Sequence, residues 1–132
     1  RKFRKPLIVM TPKSLLRYKK SFSPISDFEI GTSFQEAIPD TLMPSPRIKR
    51  VILCSGKIYY ELLQRRLDEK IEDIALIRLE QYYPFPKEKL VEILKPYKNA
   101  ELTWCQEEPI NMGAWTFIDR RLEDVLKEID IK

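Results

Sequence analysis

The side chains that could do chemistry fall in three short clusters. Glu107 and Glu108 follow Trp104-Cys105-Gln106 and precede Pro109. Glu80 and Gln81 close a second apolar run, and Ser55-Gly56-Lys57 closes a third. Adjacent carboxylates serve as acid and base only with a substrate within about 3 Å. Beside a helix start they equally complement its dipole, for at most about 1 kcal/mol. Glu107 and Glu108 therefore read as an interface that orients a neighbouring domain, ahead of a catalytic pair. Ser55-Gly56-Lys57 precedes a helical pattern, where free backbone N–H groups favour an anion; the plain alternative is a tight strand-to-helix turn. Cys54 and Cys105 lie inside apolar runs and read as small packed hydrophobes. The chain has no His in 132 residues. That excludes a Ser-His-Asp or Cys-His nucleophile within it and removes the commonest general base and zinc ligand. Its three glycines, Gly31, Gly56 and Gly113, are too dispersed for a G-x-G-x-x-G or Walker loop. No metal-ligand cluster stands out.

These clusters need strands and helices to hold them. Val51–Cys54, Ile74–Ile77 and Leu102–Cys105 are short continuous apolar runs, as expected of strands covered on both faces. After the first, Ile58, Tyr59, Leu62, Leu63 and Leu67 space as a helical stripe, with Arg65, Arg66, Asp68 and Glu69 solvated. After the second, Tyr82-Tyr83-Pro84-Phe85-Pro86 delays the helix. Pro86 then suits its first turn, and Leu90, Val91, Ile93 and Leu94 carry it to Pro96. After the third, Asn111 is placed to cap a helix with the stripe Trp115, Ile118, Leu122, Val125, Leu126 and Ile129. Alternating strands and helices predict an α/β fold: three layers, α/β/α, on a mostly parallel sheet. In such sheets ligands gather at the C-terminal strand ends, where all three polar clusters lie.

The N-terminal third differs. Residues 1–26 hold 8 of the 24 Lys and Arg and no acid, so the remainder carries 16 basic against 20 acidic side chains. The net charge of +4 belongs to that segment alone, which marks a boundary and an anion-facing surface. Nucleic acid is disfavoured because no stacking aromatics are interleaved. Six of the 10 prolines lie at or before Pro46, so only short elements fit there. Leu7–Met10 reads as one buried strand and the stretch to Pro46 as mostly connector. No apolar run approaches the roughly 20 residues of a membrane span, and two distant cysteines are no disulfide framework and point to a reducing compartment.

Four segments in order carry a family resemblance. Trp104-Cys105-Gln106-Glu107-Glu108-Pro109-Ile110-Asn111-Met112-Gly113-Ala114-Trp115 is similar to the WCQEEPxNxGAW segment of the thiamine-diphosphate-dependent first component of 2-oxoglutarate dehydrogenase complexes. Arg4–Arg17 is similar to that family's RRPLIVxTPKSLLR, Val51–Tyr60 to VxLCSGKxYYxL, and Ile77–Pro86 to IxRxEQLYPFP. The resemblance runs from Phe3 to about Val125.

It implies a transketolase-like C-terminal domain in a fragment of a larger homodimeric enzyme. Residues 1–17 would end the pyrimidine-binding domain, 18–46 would be a linker, and 47–132 the C-terminal domain, truncated at its end with one sheet edge incomplete. The full enzyme would use thiamine diphosphate and magnesium to decarboxylate 2-oxoglutarate oxidatively in the citric acid cycle. It would pass succinyl to lipoamide on a succinyltransferase partner. The fragment itself is expected to bind neither cofactor and to be inactive, with structural, dimer-forming and regulatory roles. Glu80, Gln81, Gln106, Glu107, Glu108 and Trp115 would face an interface or cleft. Family regulation by nucleotides or acetyl-CoA makes Arg4, Lys5, Ser55, Gly56 and Lys57, with Arg1 and Lys2, candidates to hold a phosphate. Neither nucleic acid nor a membrane is an expected partner. The compartment would be bacterial cytoplasm or mitochondrial matrix. The competing readings are a stand-alone nucleotide- or anion-binding module, or the same domain of a related 2-oxo acid decarboxylase. A further expectation is an exposed apolar stripe on the last helix, with Leu7–Met10 either folded back or driving self-association.

Overall fold

The computed structural model describes residues 4–130. Four strands, β1 (Ala37–Ile38), β2 (Arg50–Cys54), β3 (Ile74–Leu79) and β4 (Glu101–Cys105), form one sheet in the order β1-β3-β2-β4. β2 pairs parallel with both β3 and β4, while β1 pairs antiparallel with β3. The helices α1 (Ile58–Asp68), α2 (Lys87–Leu94) and α3 (Trp115–Glu128) follow β2, β3 and β4 in turn. Short 3-10 turns occupy Lys13–Arg17, Lys19–Ser21 and Ile25–Phe28 in the N-terminal third.

The pleat divides the core into two. Val51, Leu53, Ala75, Ile77 and Leu79 face α2 and α3, packing with Leu90, Leu94, Ile118 and Val125. The alternate residues Cys54 and Leu76, with Ile52 and Ile74 beside them, face α1 through Tyr59, Leu62 and Leu63. Successive strand residues point to opposite faces, so continuous apolar runs give helices on both sides. This is the expected three-layer α/β arrangement on a mostly parallel sheet.

Several local expectations are corrected. Leu7–Met10 is not a strand: Leu7 and Met10 are 87% and 91% exposed, and no neighbouring strand satisfies its backbone. A strand needs a partner's N–H and C=O groups, and Leu7–Met10 pairs with no strand of the sheet. It is also not folded back onto the body. The connector contains β1, whose two residues were invisible to a periodicity argument. In α1 the stripe is displaced: Leu67 is half-exposed while Arg66 is buried. Asn111 does not cap α3, which starts four residues later at Trp115 without a side-chain cap. The α3 stripe is not exposed either. Ile118, Leu122, Val125 and Ile129 are all buried against the sheet and α2, with Trp115 and Leu126 partly so.

Arg66 is buried because the connector supplies its counter-charge. The side chains of Arg66 and Asp40 are 6% and 1% exposed. Arg66 grips Asp40 through both terminal nitrogens and also donates to the Ile74 carbonyl at 3.2 Å. The N–H groups of Leu76 and Leu42 complete the carboxylate's shell. Burial pushes the Asp40 carboxyl up, but the bond from Arg66, the two backbone bonds and the guanidinium charge outweigh it. Asp40 therefore sits below its ordinary value.

Candidate functional site

The three parallel strands end side by side, and the segments after them enclose a cleft of about 610 Å³. One wall is Ser55, Gly56 and Lys57, leading from β2 into α1. Gly56 has φ of +73°, a left-handed turn that a side chain would strain. Opposite stand Gln106, Glu107, Glu108 and Gly113, and Tyr82 and Tyr83 close the third side.

Gln106 organises the wall after β4. Its Oε1 accepts the Trp104 indole N–H at 3.0 Å. Its Nε2 donates to the carbonyls of Glu108 at 3.1 Å, Pro109 at 3.2 Å and Met112 at 2.8 Å. One carboxamide thus fastens a seven-residue excursion to the end of its strand. Gly113 makes the closure sterically feasible. Its φ is +67°, and a Cβ there would lie 2.9 Å from Glu108 Oε2 and 3.1 Å from Gln106 Nε2.

Charge then ties the two walls together. Lys57 Nζ lies 2.9 Å from Glu107 and 3.2 Å from Glu61. Those two carboxylates, bonded to it, raise the Lys57 ammonium above its ordinary value. Burial pushes the Tyr82 phenol up; a hydrogen bond with Ser55 opposes this, while the Glu108 and Glu80 carboxylates add to it. No ion pair involves Glu108 among the described residues. It borders both this cleft and a second groove of about 490 Å³ along β4.

Of the expected site residues, Ser55, Gly56, Lys57, Gln106, Glu107 and Glu108 therefore converge on one cleft. Trp115 lies instead beside Cys105 in the groove along β4. Glu80 points to Arg78 at 2.8 Å, and Arg78 stacks over Tyr59 at 4.8 Å. Gln81 Nε2 donates to the Pro84 carbonyl at 2.9 Å, and its backbone N–H meets the Glu36 carbonyl at 3.0 Å. The backbone N–H of Glu80 also meets the Glu36 carbonyl, at 2.9 Å, so both residues fasten the β3 exit beside β1. Arg4 and Lys5 are exposed and line no part of the cleft, which, among the described residues, the N-terminal segment reaches at Pro12. Arg1 and Lys2 lie outside the described residues. Sequence reasoning missed Gly113 as a cleft residue and Gln106 as the clamp. The Gln and Gly are seven positions apart, a spacing that belongs to no repeating element.

Cys54 is buried and Cys105 half-buried, and both are free thiols. Burial, then the neighbouring Cys105, pushes the Cys54 thiol up to about 12. Burial also raises Cys105. No group of three or more His, Cys, Asp or Glu among the described residues could hold a metal ion.

Residues 22–132 match the family described as 2-oxoglutarate dehydrogenase C-terminal. The chain is 48% identical, over an alignment of 142 positions covering all of it, to the 2-oxoglutarate dehydrogenase E1 component of Brucella ovis. The counterparts from Brucella canis and Brucella melitensis match equally. The chain spans 14% of the length of each of these relatives.

Proposed function

The chain belongs to the 2-oxoglutarate dehydrogenase C-terminal family, and from that premise we propose that it is the C-terminal part of such an E1 component. The full-length protein then decarboxylates 2-oxoglutarate oxidatively with thiamine diphosphate and magnesium. It delivers succinyl to the lipoyl group of a succinyltransferase in the citric acid cycle. The observation that carries this reading is 48% identity across the whole chain.

The residues of this chain do not fit the cofactor. It has no His, its described residues offer no metal-ligand group, and the ammonium at the cleft is held between two carboxylates. A diphosphate approaching Lys57 would meet Glu107 and Glu61. We therefore assign cofactor binding and chemistry to other parts of the full-length protein, and a positioning role to this one. Glu80, Gln81, Gln106, Glu107, Glu108 and Trp115 would form the face that meets the rest of the enzyme and the second subunit of a homodimer. Gln106 would keep that face preformed, so that docking costs little loop entropy. The same cleft, through Ser55, Gly56 and Lys57, is where a phosphate-bearing regulator would compete with Glu107 for Lys57.

The test uses the full-length protein that carries this chain. It should decarboxylate 2-oxoglutarate in a thiamine-diphosphate- and magnesium-dependent reaction, read with an artificial electron acceptor. Preferential turnover of 2-oxoadipate, or of neither acid, would overturn the substrate assignment. Gln106→Ala should lower kcat with weaker subunit association, seen by sedimentation. Unchanged kcat and association would remove the positioning role.

A further inference from the structure

Cys54 and Cys105 are 51 residues apart in sequence, yet they are direct register partners on the parallel strands β2 and β4. Neighbouring strands run about 4.8 Å apart, and disulfide-bonded residues have Cα separations of about 4.4–6.8 Å. Residues paired in register point to the same face of a sheet, and both cysteines pack on the α1 side. Each is the last residue of its strand, where the ladder constrains the backbone least. The Cys54 thiol is turned to β3, 3.8 Å from the Ile77 carbonyl, and a rotation about χ1 carries it toward β4. Cys105 is only half-buried and borders a groove with Trp104, Ile110 and Trp115.

We propose that Cys54 and Cys105 form an oxidisable cross-strand dithiol, closed to an intrachain disulfide by hydrogen peroxide reaching the half-buried Cys105. The Cys105 thiolate attacks the peroxide oxygen, giving a sulfenic acid and, after protonation of the leaving hydroxide, water. The Cys54 sulfur then displaces that hydroxyl: the S–S bond forms, the S–O bond breaks, and a second water leaves with the Cys54 proton. The two sulfurs together lose two electrons and the peroxide gains them. Burial raises both thiols, so the reactive thiolate is scarce and the step is slow compared with a dedicated peroxidase and responds to sustained oxidant.

The bond would lie at the root of the cleft. Ser55 follows Cys54 and Gln106 follows Cys105, so a disulfide pins the Ser55-Gly56-Lys57 wall to the Gln106-Glu107-Glu108 wall. The Lys57–Glu107 contact at 2.9 Å now joins them by charge alone. Closure makes the two walls one covalent unit and fixes the cleft width.

Full-length protein is exposed to hydrogen peroxide under native conditions, then alkylated and mapped without reduction. The expected result is a peptide pair joined through Cys54 and Cys105, lighter by two hydrogens than the separate peptides. Dithiothreitol should reverse it. Cys105→Ser should abolish the pair and leave Cys54 alkylated only after unfolding. Cys54→Ser, made in parallel in case the first variant folds poorly, should trap sulfenic acid at Cys105, read with a dimedone probe. Three results would overturn the idea: persistence of both free thiols, oxidation of Cys105 to sulfinic acid with Cys54 untouched, or a bond to any other cysteine.

Discussion

Asp40 is the residue at which the smallest chemical change has the largest expected effect. Asp40→Asn keeps the shape and removes the charge, leaving the Arg66 guanidinium buried without compensation. Breaking a buried pair in this way costs about 3–5 kcal/mol, to be read as a shift in the urea midpoint. The pH dependence has a definite direction. In the unfolded chain the carboxyl titrates near 3.9, and in the fold it is held lower. Its contribution is therefore complete above about pH 4 and is lost as pH falls through the folded value. The gap between wild type and Asp40→Asn should stay constant from pH 7 to 5 and close below 4. At the thiols, burial dominates. With Cys54 pushed up to about 12, a thiol reagent at pH 8 should modify native protein slowly, Cys105 before Cys54, and both quickly in denaturant. Gly113→Ala combines a left-handed backbone, about 1–2 kcal/mol for a residue with a side chain, with displacement of the Glu108 carboxylate. It should lower stability by about that amount and loosen the loop Gln106 holds, seen as faster hydrogen exchange at Met112.

Elements show why some of this architecture was legible and some not. The three strand–helix units were readable because each strand is apolar on both faces and each helix has a 3.6-residue stripe; α3, with Ile118, Leu122 and Val125 all buried, follows its pattern closely. β1 was not readable. Two residues have no period, and Ala37-Ile38 pairs with β3 only because the sheet edge at Arg78 and Leu79 is there to receive it. Arg66 was misjudged for the same reason. Its burial depends on Asp40, 26 positions earlier in the chain, and no pattern within α1 encodes that partner. The cleft was half legible: the polar strand ends marked its position, while the clamp made by Gln106 depends on loop geometry. The end of α1 gives a further test. Lys70 takes a left-handed φ of 52°, with its N–H on Leu67 and that of Ile71 on Arg66 at 3.0 Å, the paired closure that glycine favours. Lys70→Gly should stabilise by about 1 kcal/mol, measured by thermal unfolding.

At the scale of the whole molecule, charge and apolar exposure both concentrate at the N-terminal side. The basic segment carries Leu7, Ile8, Val9, Met10, Leu16 and Phe22 to solvent, while the acidic body buries its stripes. The segment touches the body mainly at α1, where Tyr18 packs edge-on against Tyr60 at 5.7 Å and Lys20 reaches Gln64 at 2.7 Å. Exposed apolar side chains of this kind drive association. Sedimentation of the chain should show concentration-dependent self-association that disappears when residues 1–10 are deleted, with the unfolding midpoint nearly unchanged. A midpoint that falls with the deletion would mean that the segment packs on the body after all. Among the described residues no helix is long and apolar enough to cross a membrane.

The Asp40–Arg66 pair also has a mechanical meaning. The polypeptide arrives at the sheet along the connector, and its first attachments to the sheet are β1 and, two residues after it, Asp40. Any tension transmitted along residues 18–36 is delivered to that point before it reaches β3. Two residues of ladder can unzip one bond at a time, whereas a guanidinium held at two nitrogens must be pulled from a buried site in one event. The pair is thus the rivet of the joint, holding the connector to α1 and β3 at one buried point.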